Sequence, residues 1–441
     1  MKVRLLRFWE NLTTSFWFVP ILMAVAGALL AIFMIWIDGR APRLDVKLLD
    51  WLYVAGPSGA RSVLATIASS SITVASVVFS ITIVALSTAS NQFGPRLLPN
   101  FMQQGATQVA LGTFIATFIY ALLVLGRIPE PGSAEALPSL SVFVGMVAGI
   151  ASFIVLILFI HHVATFIQAP RIIDDVARSL EQALDRIFPE DVGHGRDCTS
   201  DKDITSRARA AEECRGRVSA PRSGYLQAVD AEGLLNAARE TGTVIRLLAR
   251  PGDALIEGAA CAEIHGSGDP PESLAGRIRE MLVIGPQRTQ TQDIEYAVDQ
   301  LAEVALRALS PGINDPFTAI NCLDRLGTAL ARLAARTLPS AERADNDGTV
   351  RLIVRPYTYA GIVEAAFSQL RESARTNATV ALRMLDIIRR VAELDPPSSM
   401  REQLEREAKM VAESAADAAS HPADRGRIMQ RHDEVAGALE A

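Results

Sequence analysis

The sequence predicts an α-helical integral membrane domain of four transmembrane helices, joined to a cytoplasmic α+β region that holds a small β module and a helical bundle. Three observations carry this fold class. The 441 residues are 49% hydrophobic with a mean hydropathy of +0.22, but the long apolar runs end near Gln168 and the rest is polar. Four of those runs approach the ~20 apolar residues that cross ~30 Å of hydrocarbon. Beyond Thr291 the apolar spacing is helical, whereas Tyr225–His265 carries β-rich runs between turn signals.

The expected spans are Phe18–Ile37, Leu64–Leu86, Val109–Leu125 and Leu140–Phe166. The first is entered through Trp9, Phe16 and Trp17 and left through Trp36 and Asp38, an aromatic belt at each interface. Its basic start resembles a signal peptide, yet the apolar stretch is too long for a cleaved one, so it is a retained anchor. Leu44–Tyr53 is too short and charged to cross and suits the outer interface. Asn91–Arg96 turns the chain back, and the overlong fourth span tilts or continues into the cytosol. Lys2, Arg4, Arg7, Arg171 and Arg178 argue for both termini inside; Arg40, Arg43, Lys47 and Arg61 in the first loop argue against. Scattered cysteines (Cys198, Cys214, Cys261 and Cys322), as in a reducing compartment, and the large polar C-terminal half tip the balance to cytoplasmic termini.

The second span carries hydroxyls on a seven-residue repeat. Thr66, Thr73, Ser80 and Ser87 form one column, and Ser69, Ser76 and Ser90 the next, interrupted at Ile83. These positions share one helix face, and that face must meet another helix or water. As a packing seam, it lets helices approach closely, each cross-helix hydrogen bond contributing roughly 0.6–2 kcal/mol. As a conduit, copies of the span surround an axis, with Thr66, Ser69, Thr73, Ser76, Ser80 and Ser87 lining it and Ile83 gating by dewetting. No charged ring lies on the seam, so charge filtering would fall to Arg61 or Arg96 at the mouths.

The expected divisions are 1–168, the membrane domain; 169–215, a helix extending span four and a flexible linker; 216–266, a small β-rich module; 267–395, an α-helical domain with a short strand; and 396–441, a charged, peripheral helical tail. Arg250–Gly258 (RPGDALIEG) reads as two tight turns around a short strand, similar to half of a lipoyl- or biotinyl-type barrel but without the modifiable lysine. Gln292–Leu309 is an amphipathic helix. Asp315 as N-cap and Pro316 at the first helical position open another, to about Ala335. Arg351–Arg355 reads as a strand and Tyr359–Leu394 as one or two helices.

His161 and His162 at the inner end of span four are interfacial polar residues or pH sensors. Asn314, Asp315 and Thr318 are turn and cap chemistry, or a ligand site with Arg288, Thr289 and Gln290 from one helix earlier. Gly56–Gly59 is a loop signal. No metal-ligand spacing, cofactor motif or catalytic motif is found, and a net charge of −6 excludes a basic nucleic-acid-binding surface.

FWFVP near the start, ITVASVVFSITIVALSTASNQFGPRLL, FIHH in span four and SPGINDPFTA resemble the bacterial membrane-protein family called domain of unknown function 2254, from about Ser15 to Leu394. The resemblance implies an inner-membrane protein and supplies no activity, cofactor or catalytic residue. The functional expectation is a homo-oligomeric pore passing ions or small solutes, with membrane lipid and further copies as partners. The alternative is a non-conducting scaffold or a sensor of a ligand or partner. An enzyme acting on a lipid-borne substrate is the least supported reading.

Overall fold

The computed structural model describes residues 17–40, 50–94, 105–130, 137–166, 168–188, 214–266, 271–345 and 347–440. The chain divides into two compact units, Met1–Arg171 and Ile172–Ala441.

The first unit is built from α1 (Phe18–Arg40), α2 (Asp50–Phe93), α3 (Gly105–Leu125) and α4 (Ser139–Phe166). Each contains a stretch long and apolar enough to cross a membrane. Gly56, at φ 63° and ψ −176°, breaks α2, and Pro57 restarts it where a missing N–H costs nothing. The expected Gly56–Gly59 loop is therefore a kink within a helix. From Gly56 that helix runs 38 residues, about 57 Å at 1.5 Å per residue, well beyond the expected Leu64–Leu86. It ends at Phe93, followed by Gly94 at φ 111°. Most of the interfacial segment expected at Leu44–Tyr53, the basic start, Trp9, Phe16 and Arg96 lie outside the described residues.

Lipid removes the hydrophobic drive between helices, so close approach and internal hydrogen bonds hold this unit together. Gly27 lies against Ala116, where a Cβ would come within 2.7 Å of the carbonyl oxygen. The buried hydroxyls of Thr117 and Ser152 meet at 2.9 Å, and Tyr120 Oη donates to the Ser141 carbonyl at 2.9 Å. Asp38, near the end of α1, caps α4: its carboxylate accepts from the amides of Leu140 (3.2 Å) and Ser141 (2.9 Å) and from the Ser141 hydroxyl (2.5 Å). Arg61 of α2 donates to the carbonyl of Ile128, just past α3, at 2.9 Å. Val25, Leu29 and Phe33 of α1 and Ile150, Phe153 and Ile157 of α4 are exposed, as lipid-facing residues would be.

The second unit takes most of α5 (Ala169–Ile187). This helix is separate from α4, not its expected extension, and its buried leucines Leu180 and Leu184 face Val298, Leu326 and Leu330. Next come β1 (Cys214–Ser219), β2 (Gly224–Val229), α6 (Ala231–Thr241), β3 (Val244–Leu247), β4 (Ala254–Leu255), β5 (Ala260–His265), α7 (Glu272–Met281) and β6 (Leu282–Gly285). After α8 (Ile294–Ala308) and α9 (Pro316–Ala334), β7 (Glu342–Ala344) and β8 (Val350–Ile353) return to the sheet. One sheet has the order β1-β5-β3-β8-β7 and the other β4-β2-β6.

The turn-strand-turn expected at Arg250–Gly258 is present, with Gly252 at φ 99° and Gly258 at φ 82° around β4. A boundary at residue 266 is not: β6 pairs with β2, and β8 runs parallel to β3. The strands expected to form a separate β module therefore belong to sheets completed by β6, β7 and β8. α10 (Tyr359–Ala374), α11 (Ala378–Ala392), α12 (Ser398–Ala418) and α13 (Pro422–Glu440) complete a helical bundle. The tail is not peripheral: Met400, Leu404 and Val411 are buried, and buried Glu407 pairs with Arg371 at 3.0 Å.

Removing the Asp38 cap leaves two amides at the start of α4 without their acceptor. Asp38→Ala should lower stability by about 1–2 kcal/mol, seen as a reduced Tm of the detergent-purified protein, with Asp38→Asn retaining part of the loss.

Candidate functional site

The hydroxyl column lies on the outside of the folded chain. Thr66, Ser69, Thr73, Ser76, Ser80, Ile83 and Ser87 are all exposed, whereas Leu64, Ala68, Ser71, Ala75 and Val78 of the same helix are buried. At 100° per residue the two sets lie about 150° apart around the helix. The seam therefore points away from the chain's own helices and is not a packing contact within one copy. Its hydroxyls bond back to their own helix: Thr66 to the Ser62 carbonyl (2.8 Å), Thr73 to Ser69 (2.7 Å), Ser76 to Ile72 (3.0 Å) and Ser80 to Ser76 (2.9 Å). Each donor is satisfied that way, while the oxygen's acceptor capacity still faces outward. Ser80 also borders a groove of about 280 Å³ with Val84, Thr88 and Val163.

His161 is exposed and His162 half-buried near the end of α4, where the Thr165 hydroxyl reaches both their carbonyls. The two groups expected to converge on a ligand do not. Arg288 lies just before α8, bound to Asp293 (2.8 Å) and Asp299 (2.9 Å), with half-buried Thr289 beside it in the loop. Asn314, Asp315 and Thr318 lie past the other end, where the Asp315 amide donates to the Ala308 carbonyl at 2.7 Å. The 15 residues of α8 separate the groups by roughly 20 Å. Asp315 caps α9 through the amides of Phe317 and Thr318, both at 3.1 Å, and the Thr318 hydroxyl at 2.6 Å. Asn314 holds the turn in the left-handed region at φ 49°.

Two arrangements escaped sequence reasoning. Cys214, Glu263 and His265 come together because Cys214 pairs with His265 across β1 and β5. Arg217 and Arg246, at 3.6 and 3.9 Å from Glu263, already supply positive charge there. The second forms around the Pro251-Gly252-Asp253 turn. Gly252 adopts φ 99° against the Asp293 carboxylate, with which any Cβ would collide. The turn aims Arg250 at Glu295 (2.6 and 2.8 Å) and places the Pro251 carbonyl 3.1 Å from Tyr357 Oη. Burial pushes the Glu295 carboxyl up against the pull of Arg250, and burial beside Asp293 raises the Tyr357 phenol. Arg288 is held above its usual range: burial opposes this, but the bonds and charges of Asp293 and Asp299 prevail. Arg250, Pro251 and Tyr357 border a cavity whose lining includes Val229 of β2, Leu247 of β3, Arg343 of β7, residues of the loops after β3 and β8, and Arg186 of α5.

Residues 13–390 match the family model described as predicted membrane protein (DUF2254). The chain is similar to an uncharacterised protein of Mycobacterium tuberculosis and to one of Mycobacterium bovis. Each is 30% identical over 389 residues, which cover 87% of this chain and 73% of the relative. No solved structure matches.

The Asp315 carboxyl is held below the usual aspartate range, first by the Thr318 hydroxyl. A depressed folded pKa adds stability that is present above the unfolded value and lost as pH falls. Asp315→Ala should cost about 1 kcal/mol at neutral pH, and its gap from wild type in thermal melts should narrow below about pH 4.

Proposed function

The chain belongs to the DUF2254 family of predicted membrane proteins, and on that premise we propose that it acts as a homo-oligomeric, channel-like protein of the bacterial inner membrane. In this reading α2 lines the conduit, Ile83 forms the gate, and the second unit assembles or gates the ring from the cytoplasm. The direction of the hydroxyl column supports it. From Thr66 to Ser87 the column rises about 32 Å, close to the ~30 Å thickness of hydrocarbon, which is longer than a single helix crossing needs. Acyl chains donate nothing to the outward oxygens, whereas water or a second copy does. An even number of spans puts both ends of the membrane domain on one side. The basic start and the large polar second unit favour the cytoplasm for both termini. Ions or small solutes are the permeant class, and the reading involves no catalytic step or cofactor.

A second reading, a non-conducting scaffold or ligand sensor, is favoured by the arginine-lined cavity of the second unit. The two differ in what wets the seam. Purified protein in planar bilayers should conduct, and Ile83→Ser should raise its open probability severalfold. Cysteines at Thr66, Thr73 and Ser80 should react with a water-soluble thiol reagent. Silent bilayers from wild type and Ile83→Ser, with all three cysteines protected, would sink the conduit and leave the sensor.

A further inference from the structure

We propose that the second unit binds a small organic phosphate, a phosphomonoester carried on an apolar or planar body, in the cavity bordered by the Pro251 turn and β8. The cavity holds about 370 Å³, within the range of small-molecule sites. Among the described residues four arginines line it (Arg186, Arg250, Arg343 and Arg355) and no aspartate or glutamate does, although acidic residues outnumber basic ones in this chain by 49 to 43. A surface patch drawn at random from such a chain would carry both signs; this wall carries one.

Two of the four charges are already met from behind the wall. Arg250 is held by Glu295 at 2.6 Å and Arg355 by Asp253 at 3.2 Å. The other two, among the described residues, reach backbone carbonyls: Arg186 that of Thr291 at 3.4 Å, and Arg343 those of Ser340 and Glu342. Burial pushes the Arg343 guanidinium below its usual range, as expected of a desolvated cation without a counter-charge. Two uncompensated guanidinium forks match the −1.5 to −2 charge and bidentate geometry of a phosphomonoester near neutral pH. Phe188, Val229, Leu247, Val354 and Tyr357 give the rest of the lining a largely apolar character, with Thr291, Gln292 and Ser340 beside them. The Tyr357 ring is fixed in advance: its hydroxyl reaches the carbonyls of Gln292 (2.7 Å) and Pro251 (3.1 Å). Phe188 stands edge-on at 6.3 Å, and Arg250 covers the ring at 4.7 Å. A preset wall lowers the ordering cost of binding and suits an aromatic or aliphatic body. The inference is independent of the conduit reading and survives its failure.

Calorimetric titration of the full chain in lipid nanodiscs tests it, with phenyl phosphate and adenosine monophosphate as probes and phenol, adenosine and benzoate as comparisons. At least one of the two esters should bind, and phenol and adenosine should not. Arg343→Gln should weaken ester binding at least tenfold. Arg186→Gln, a change at an exposed side chain that leaves folding intact, should do the same. Absence of binding by both esters, or unchanged affinity in Arg186→Gln, would overturn the site. Benzoate binding as tightly as phenyl phosphate would overturn the assignment to phosphate.

Discussion

A polar backbone group taken out of water must find its partner within the protein, and in the first unit Asp38, near the end of α1, supplies one at a helix end. The first amides of a helix have no intrahelical acceptor. The carboxylate closing α1 supplies one to α4 through Leu140 and Ser141. Arg61 does the converse for a carbonyl just past the end of α3, that of Ile128. The first and fourth spans, and the second and third, are thereby fixed in register by polar contacts, with glycine contacts such as Gly27–Ala116 closing the gaps. These bonds and the buried column of α2 complete the packing of one copy. The hydroxyl column takes no part in it and stays exposed along its length.

In the second unit the organising element is a three-residue turn. Gly252 lets the backbone pass against Asp293 in a conformation closed to other residues. Its neighbours then spread outward: the Pro251 carbonyl meets Tyr357, Asp253 accepts from the Arg250 amide and from Arg355, and Arg250 turns to Glu295. Residues more than a hundred positions apart are brought to one wall by geometry set at a single glycine.

Local features were legible in the chain and distant ones were not. Apolar runs of membrane length, the Asp315–Pro316 helix start and the turns around β4 are each written within a few residues, and the structure carries all of them. The lengths were underestimated where helices run on past the apolar zone, as α2 does. Pairings between remote strands leave no periodic trace. The sheet was therefore closed too early, at residue 266, and the meeting of Cys214 with His265 went unseen. Arg288 and Asp315 looked close because one helix separates them, yet a helix is a spacer and holds its two ends apart. The cavity arginines come from four separate segments, each of which looks like ordinary surface charge alone.

The parallel pairing of Ile245 with Leu352 also bears on how the chain is made. Synthesis delivers β3 about a hundred residues before the strand that lies beside it, so a nascent chain carries an open strand edge while α8 and α9 emerge from the ribosome. An edge of that kind is a template for pairing with a stranger. The late return of β8 means that a polypeptide ending anywhere between α8 and β7 keeps that edge bare for good, and the smallest piece able to shield itself must extend past Ile353.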